Sequence, residues 1–151
     1  MVIKEVETKE ELQKCDEFLN ELINDEKKYD DNINDKIIIN DYYEKVYKKC
    51  NYKVFIAVEN RNILGYVFIK ITDPKQNGEI YKESIIDALY VDKEYRNKGI
   101  ATKLIEKAKE YSKEIGAKKI SISVIKNNEV ALKLYYKLGF KDFSFKLKQE
   151  L

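Results

Sequence analysis

Apolar residues recur along this chain at two spacings, one typical of strands and one typical of helices. Met1 to Glu7 alternates loosely as a strand, and Thr8 begins a capping box that precedes an apolar stripe at helical spacing. The stripe consists of Leu12, Cys15, Leu19, Leu22 and Ile23. Residues 24–36 are polar, with five carboxylates against three lysines, and predict an acidic loop. A tyrosine-rich second helix is expected from about Lys36 to Lys49.

The middle of the chain changes to strand spacing. Residues 54–59 and 63–71 are rich in β-branched and aromatic side chains and predict a hairpin closed by residues 60–62. A turn at 73–78 holds the only proline, and a long strand follows that ends at Val91. Helical spacing returns from about Gly99 to Ile115.

The remaining residues predict a strand over 119–125 and a helix that begins near Asn128 and ends at Gly139. Alternation at Phe143, Phe145 and Leu147 then indicates a last strand. The predicted order is β-α-α-β-β-β-α-β-α-β. It favours an α/β fold with one mixed sheet, helices on both faces, and a single domain over 1–151.

Composition narrows the chemistry. The 151 residues include no histidine, which excludes Ser–His and Cys–His catalysis and imidazole-bound zinc, so no metal is expected. Basic and acidic residues number 29 and 27 and are interspersed, which argues against nucleic-acid binding. The charged first residues lack the apolar core of a signal peptide, and no apolar run reaches membrane-spanning length. The sequence therefore predicts a cytoplasmic protein that is not bound to membranes.

The stretch from Ile85 to Leu104 contains the clearest candidate site. It predicts a buried strand, a charged turn and a helix that begins at Gly99. A glycine there allows close backbone approach, and the first helical turn presents unpaired N–H groups at the positive end of the helix dipole. Arg96 and Lys98 add mobile positive charge. An anion site for a phosphate is one interpretation, and an ordinary strand-to-helix connection is the other.

Residues 96–101, RNKGIA, match the pattern R/Q-x-x-G-x-G/A and follow LYVDKEY. Residues 128–140, NEVALKLYYKLGF, match N-x-x-A-x-x-[LF]-Y-x-K-L-G-F. With both motifs in this order, the chain resembles the GNAT N-acetyltransferase superfamily over roughly residues 84–140. The resemblance implies a mostly antiparallel sheet, acetyl-CoA as cosubstrate and an amine as acceptor.

The resemblance also implies roles for residues in both motifs. The expected cofactor-binding residues are Leu89, Tyr90 and Val91 for the pantetheine arm, Arg96, Asn97, Lys98, Gly99, Ile100, Ala101 and Thr102 for the diphosphate, and Asn128, which could also cap its helix. Tyr135 matches the tyrosine that protonates the departing thiolate, whereas Tyr136 points elsewhere and serves as an internal control. Because Asp87 is the one acid in an apolar strand, it is expected to be the base or to orient the substrate ammonium.

Two further expectations concern the reaction and its alternatives. Cys15 and Cys50 lie outside both motifs, which favours direct attack of the amine on the thioester. The alternative functions are a non-catalytic acyl-CoA sensor, which needs the 96–101 loop but not Tyr135, and a pure interaction domain. Only about eleven residues follow Phe140, so the last hairpin of the family is expected to be cut to one strand. The sequence does not specify how the substrate side is walled, and a homodimer partner is one way to complete it.

Overall fold

The computed structural model describes residues 1–34 and 36–151; Asp35 of the predicted acidic loop lies outside them. Within these residues five strands form one sheet in the order β1-β2-β3-β4-β5. The strands are β1 (Val2–Glu5), β2 (Tyr52–Glu59), β3 (Asn62–Ile71), β4 (Glu83–Val91) and β5 (Lys119–Ile122). The helices are α1 (Lys9–Glu26), α2 (Tyr42–Tyr47), α3 (Pro74–Asn77), α4 (Ile100–Glu114) and α5 (Glu129–Lys137).

The first four strands are antiparallel, and β5 runs parallel to β4. The β2–β3 hairpin turns at Asn60 and Arg61, whose φ angles are 49° and 66°. Positive φ at both central residues is the signature of the two-residue turn whose twist matches that of paired strands.

The pairing of the five strands confirms the expected mixed, mostly antiparallel sheet.

Helices cover both faces of the sheet, as the sequence predicts. On one face, α1 and α2 pack Leu12, Phe18 and Tyr43 against β3 and β4. On the other, α4 buries Leu104 and Ile105 against the same strands, with α5 beside it. The capping box at Thr8 is present, because Thr8 Oγ1 accepts from Glu11 N at 3.2 Å and Glu11 Oε2 accepts from Thr8 N at 3.1 Å.

The second helix is shorter than predicted. It spans only Tyr42–Tyr47, not the expected 36–49. The side chain of Asn20 on α1 bonds both backbone groups of Ile39, accepting from its N–H at 2.8 Å and donating to its carbonyl at 2.9 Å. Since those groups are bound to α1, residue 39 cannot join a helix ladder. The predicted loop is also shorter at its start, because α1 continues to Glu26.

The predicted last strand is wrong: residues 141–151 form no strand or helix. Phe143, Phe145 and Leu147 are 90%, 81% and 91% exposed. Alternation makes a segment suitable for a sheet, but a strand exists only where its backbone pairs, and no strand pairs with this segment. The expected strand 119–125 is likewise trimmed to Lys119–Ile122, and the turn at 73–78 contains the single-turn helix α3.

The described part of the chain contains no helix that is long and apolar enough to span a membrane.

Candidate active site

The carboxyl-terminal half of β4 has a free edge. Strand β5 pairs with Glu83 to Ile86, and among the residues that the structure describes no strand pairs with the rest of β4 on that side. Asp92 N donates to Leu64 of β3 at 2.9 Å, so the carbonyl of the same peptide, that of Val91, points away from β3. By strand alternation, the N–H and carbonyl groups of Leu89 and Val91 both face the open side, whereas those of Tyr90 face β3.

A β-bulge lies where this free edge begins. Phe68 pairs with Ala88 and Ile69 pairs with Ile86, so Asp87 is the extra residue. Asp87 is exposed. Burial raises the pKa of Tyr42, and the charge of Asp87 adds to the rise. Ala88, the next residue along β4, packs in the core cluster that contains Tyr43 of α2. The apolar strand therefore carries an acid at the one position where the pleat is interrupted.

The loop before α4 leaves the first backbone N–H groups of the helix without a side-chain cap. Asn97 and Gly99 have φ angles of 61° and 76°, and a Cβ at Gly99 would meet no atom within 4 Å. No side chain caps α4, in contrast to α1 and α5. The N–H groups of Ile100, Ala101 and Thr102 are thus presented at the positive end of a 15-residue helix. An anion fits this arrangement, and Lys98 lies in the same turn.

Arg96 lies in the same loop, but the protein already binds it on three sides. Its Nε donates to the Val91 carbonyl at 2.9 Å and its terminal NH2 group donates to Asp25 Oδ2 at 2.8 Å. The guanidinium carbon lies 5.2 Å from the centre of the Tyr90 ring. Lys93 Nζ is 3.2 Å from Asp25 Oδ1. Two basic side chains of this loop are therefore paired with the end of α1.

Tyr135 and Tyr136 have the contrasting environments that helical spacing predicts. Tyr135 is half-buried, with its ring 5.9 Å from that of Phe140. Burial raises the pKa of Tyr135 to about 12, and the charge of Glu26 adds to the rise. Tyr136 instead points outward and donates to Asp142 Oδ1 at 2.6 Å. The phenol of Tyr135 is therefore protonated at neutral pH and able to donate a proton.

Glu26 is a residue that the sequence reading placed in a loop. It is the last residue of α1 and is half-buried. Burial raises the pKa of Glu26, and the charge of Asp30 adds to the rise. The apolar stripe of α1 continues from Leu19 through Leu22 and Ile23 to the position of Glu26. An acid on the apolar face of a helix was therefore the sequence signal that could have identified Glu26 as a candidate site residue.

Asn128 caps α5, since its Oδ1 accepts from Ala131 N at 3.2 Å. Lys109 of α4 donates to the carbonyl of Leu138 at 2.8 Å, which ties the end of α5 to α4. Gly65 allows β3 to approach the end of β4, because a Cβ there would lie 2.5 Å from the Tyr90 carbonyl oxygen. These contacts hold α5 and the end of β4 in place around the free edge.

Comparisons with known proteins identify the family of this chain. Residues 15–140 match the family described as Acetyltransferase (GNAT) family. The chain belongs to the GNAT acetyltransferase family. An N-alpha-acetyltransferase of Saccharolobus solfataricus is 31% identical over 99 residues, which are 62% of this chain and 59% of that protein. N-alpha-acetyltransferase 30 of Schizosaccharomyces pombe is 35% identical over 86 residues, 57% of this chain and 55% of that one.

This GNAT chain thus spans under two thirds of the length of those two curated relatives. A protein of Bacillus subtilis subsp. natto named "Probable spermine N(1)-acetyltransferase" is 25% identical over 99 residues, 62% of each chain. Among solved structures, the aminoglycoside N-acetyltransferase AAC(6')-Iy in complex with CoA has a TM-score of 0.75 at 16% identity, over 99% of this chain and 98% of that one. At that identity the likeness shows the fold.

Proposed function

We propose that this protein is an acetyl-CoA-dependent N-acetyltransferase that transfers the acetyl group to a primary amine by direct attack. The observation that carries the proposal is the free edge of β4, which leads into the open helix terminus at Gly99. The half-buried phenol of Tyr135 packs against the apolar cluster that contains Val91 of this edge. One extended ligand with a phosphate end, an amide arm and a thioester matches these features in that order. Membership of the GNAT family agrees with this ligand.

Acetyl-CoA binding divides between two parts of the site. The diphosphate is assigned to the amides of Asn97 to Thr102 and to the ammonium of Lys98, where dipoles and charge act together. The pantetheine amides are assigned to the outward-facing groups of Leu89 and to the N–H of Val91, in the manner of an added strand, since the Val91 carbonyl already accepts from Arg96. Tyr90 contributes through its ring, which lies against Arg96.

The chemical step forms a bond between the amine nitrogen and the acetyl carbon and breaks the bond between that carbon and sulfur. The electron pair of the broken bond leaves with sulfur as a thiolate, which takes a proton from the Tyr135 hydroxyl. The ammonium must lose one proton before the nitrogen attacks, and Asp87 accepts it or orients the ammonium beside it. The nitrogen loses a second proton as the amide forms, and this proton restores the Tyr135 phenol. A backbone N–H of the free β4 edge stabilises the negative carbonyl oxygen.

For the acceptor we propose a small polyamine-like or aminoglycoside-like amine, or a protein N-terminus or lysine. The charge of the exposed Asp87 carboxylate acts on Tyr42. Phe68, which pairs with the residue after Asp87, stacks on Tyr52 at 5.2 Å between ring centres. A carboxylate with aromatic neighbours attracts an ammonium group. The names of the relatives include acetyltransferases of protein N-termini, spermine and aminoglycosides, which supports the class of acceptor.

The alternative is a non-catalytic sensor of acyl-CoA. It needs the loop at 96–101 and the free strand edge but not a protonated phenol or an acid near the thioester. Because Asp87 is the bulged residue of that strand and Tyr135 packs against the apolar cluster that contains Val91, the enzyme is the better supported function. The cytoplasmic location and a homodimer stay predictions.

The test is release of free thiol from acetyl-CoA over a panel of polyamines, aminoglycosides and N-terminal peptides, together with calorimetric binding of CoA. Turnover on one class of amine supports the enzyme and identifies the acceptor. Micromolar CoA binding without turnover on any amine favours the sensor. Absence of CoA binding overturns both.

A further inference from the structure

The last turn of α1 carries acids where a helix least favours them. Glu21, Asp25 and Glu26 lie near its carboxyl end, and no basic residue lies in its last turn. Negative charge at that end of a helix opposes the helix dipole. Two basic residues of the loop before α4 compensate this charge in part, since Arg96 lies 2.8 Å from Asp25, and Lys93 lies 3.2 Å from Asp25 and 3.6 Å from Glu21.

The Asp25–Arg96 pair reaches the strand edge that the proposed cosubstrate needs. Arg96 uses its terminal NH2 group for Asp25 and its Nε for the Val91 carbonyl, so one planar guanidinium joins α1 to the end of β4. The same guanidinium lies over Tyr90, whose ring lies 5.2 Å from that of Phe18 on α1. These three contacts fix the orientation of the Arg96 guanidinium. Its hydrogen bond to the Val91 carbonyl in turn fixes the orientation of the Val91 peptide.

The charge of Asp25 itself works against a bound diphosphate. It lies next to the loop whose amides and lysine would hold the phosphates, and it neutralises two of the three basic side chains there. If electrostatics alone mattered, removing this charge would improve binding of an anionic ligand. Burial raises the pKa of Asp25, but hydrogen bonds from Arg96 and Lys93 outweigh burial and hold this pKa below its ordinary value. Asp25 is therefore charged at neutral pH.

We propose that Asp25 is a positioning residue for cofactor binding, which acts through Arg96 to fix the Val91 end of β4 and the loop before α4. Arg96 thereby serves as a structural link between α1 and β4, and the loop amides with Lys98 hold the diphosphate. This inference rests on the proposed function, because it assigns the loop and the strand edge to a CoA ligand.

The test compares CoA affinity by calorimetry in the wild type and three variants. Asp25→Asn removes the charge but keeps the size of the side chain, and Arg96→Lys keeps the charge but loses the two-pronged contact. Asp31→Asn is the matched control. Asp31 is an exposed acid six residues after Asp25, and its replacement changes the net charge by the same amount. We expect Asp25→Asn and Arg96→Lys each to weaken CoA binding by about three- to tenfold.

The double variant Asp25→Asn/Arg96→Lys should weaken binding no more than either single variant, since the two residues act as one unit. In turnover assays the KM for acetyl-CoA should rise in the same proportion while kcat stays within about twofold. Thermal melting of each variant identifies any loss caused by unfolding, and Asp25→Glu should recover part of the affinity.

Equal or tighter CoA binding by Asp25→Asn overturns the inference, because it shows that Asp25 only competes with the diphosphate for Arg96 and Lys93. That result leaves the proposed function intact. Failure of the wild type to bind CoA overturns the proposed function instead, so the two failures are distinguishable.

Discussion

Ile86 and Ala88 are two residues apart on β4, yet their side chains lie on opposite faces of the sheet. In a regular strand they would share a face, because side chains alternate with a period of two. The bulge at Asp87 changes the phase, so that Ala88 faces α1 and α2, and Leu89 and Val91 turn toward α4. The acid at the bulge and the free backbone edge after it are thus two results of one inserted residue.

Replacing Tyr135 with phenylalanine tests the proposed acid. The substitution keeps the ring packed against Phe140 and removes only the hydroxyl that would protonate the thiolate. We expect kcat for amine acetylation to fall by about 10²- to 10⁴-fold, with CoA affinity within about twofold of the wild type. Thiol release and calorimetry measure the two quantities. Tyr136→Phe is the control and should leave both unchanged, since its hydroxyl bonds only Asp142.

Replacing Asp87 with asparagine tests the proposed base. We expect kcat/KM for the amine to fall by about 10²-fold, while CoA binding is retained. A fall in kcat identifies a base, and a rise in the KM for the amine identifies a group that orients the ammonium. Glu83→Gln, on the same strand before the bulge, should show neither effect. Unchanged amine kinetics in Asp87→Asn would remove Asp87 from the site.

Two glycines at the ends of α4 separate backbone strain from cofactor binding. Gly99 and Gly116 have φ angles of 76° and 78°, and a Cβ at either would meet no atom within 4 Å. Alanine at either position should therefore lower the free energy of unfolding by a similar amount, about 1 kcal/mol. Only Gly99→Ala should weaken CoA binding, because Gly116 lies at the other end of the helix. Urea denaturation and calorimetry measure the two effects, and equal CoA affinity in the two variants would contradict the anion site at Gly99.

The phenol of Tyr135 predicts a loss of stability in alkali. Its pKa is raised to about 12 by burial and by Glu26, whereas an unfolded tyrosine titrates near pH 10. The folded state thus holds this proton more tightly than the unfolded state. The contribution of the protonated phenol to the free energy of unfolding is complete below about pH 10 and is lost as the pH rises through about 12. We expect the free energy of unfolding to fall more steeply over this range in the wild type than in Tyr135→Phe. Parallel curves for the two proteins would contradict the raised pKa.

The exposed tail provides a test of the missing last strand. Deleting residues 143–151 removes four large apolar side chains that are at least 81% exposed and one ion pair at the surface, Lys148 with Asp30 at 3.9 Å. Such a pair contributes little, at most about 1 kcal/mol. We expect the melting temperature to change by no more than about 4 °C. A larger decrease would show that the tail packs against the folded chain.

Much of the fold was predictable because its signals are local. The capping box at Thr8 and the stripe behind it specify α1, and Asn60, a residue type that tolerates positive φ, occupies the first turn position of the β2–β3 hairpin. The predicted length of the second helix and the predicted last strand were wrong for the same reason. Each prediction weighed residues within one segment, whereas the outcome depended on Asn20 in one case and on an absent pairing strand in the other.

The sequence by itself determined the order of most elements, the open helix terminus at Gly99 and the candidate pair of Tyr135 and Asp87, since glycine, apolar spacing and motif residues act over a few positions. Only the tertiary structure decided that Asp87 is the bulged residue, that Glu26 influences Tyr135 and that Arg96 is held by Asp25. These relations join residues up to 109 positions apart, Glu26 and Tyr135 being the most distant. No local pattern encodes them, because they arise when packing brings α1, β4 and α5 to the same end of the sheet.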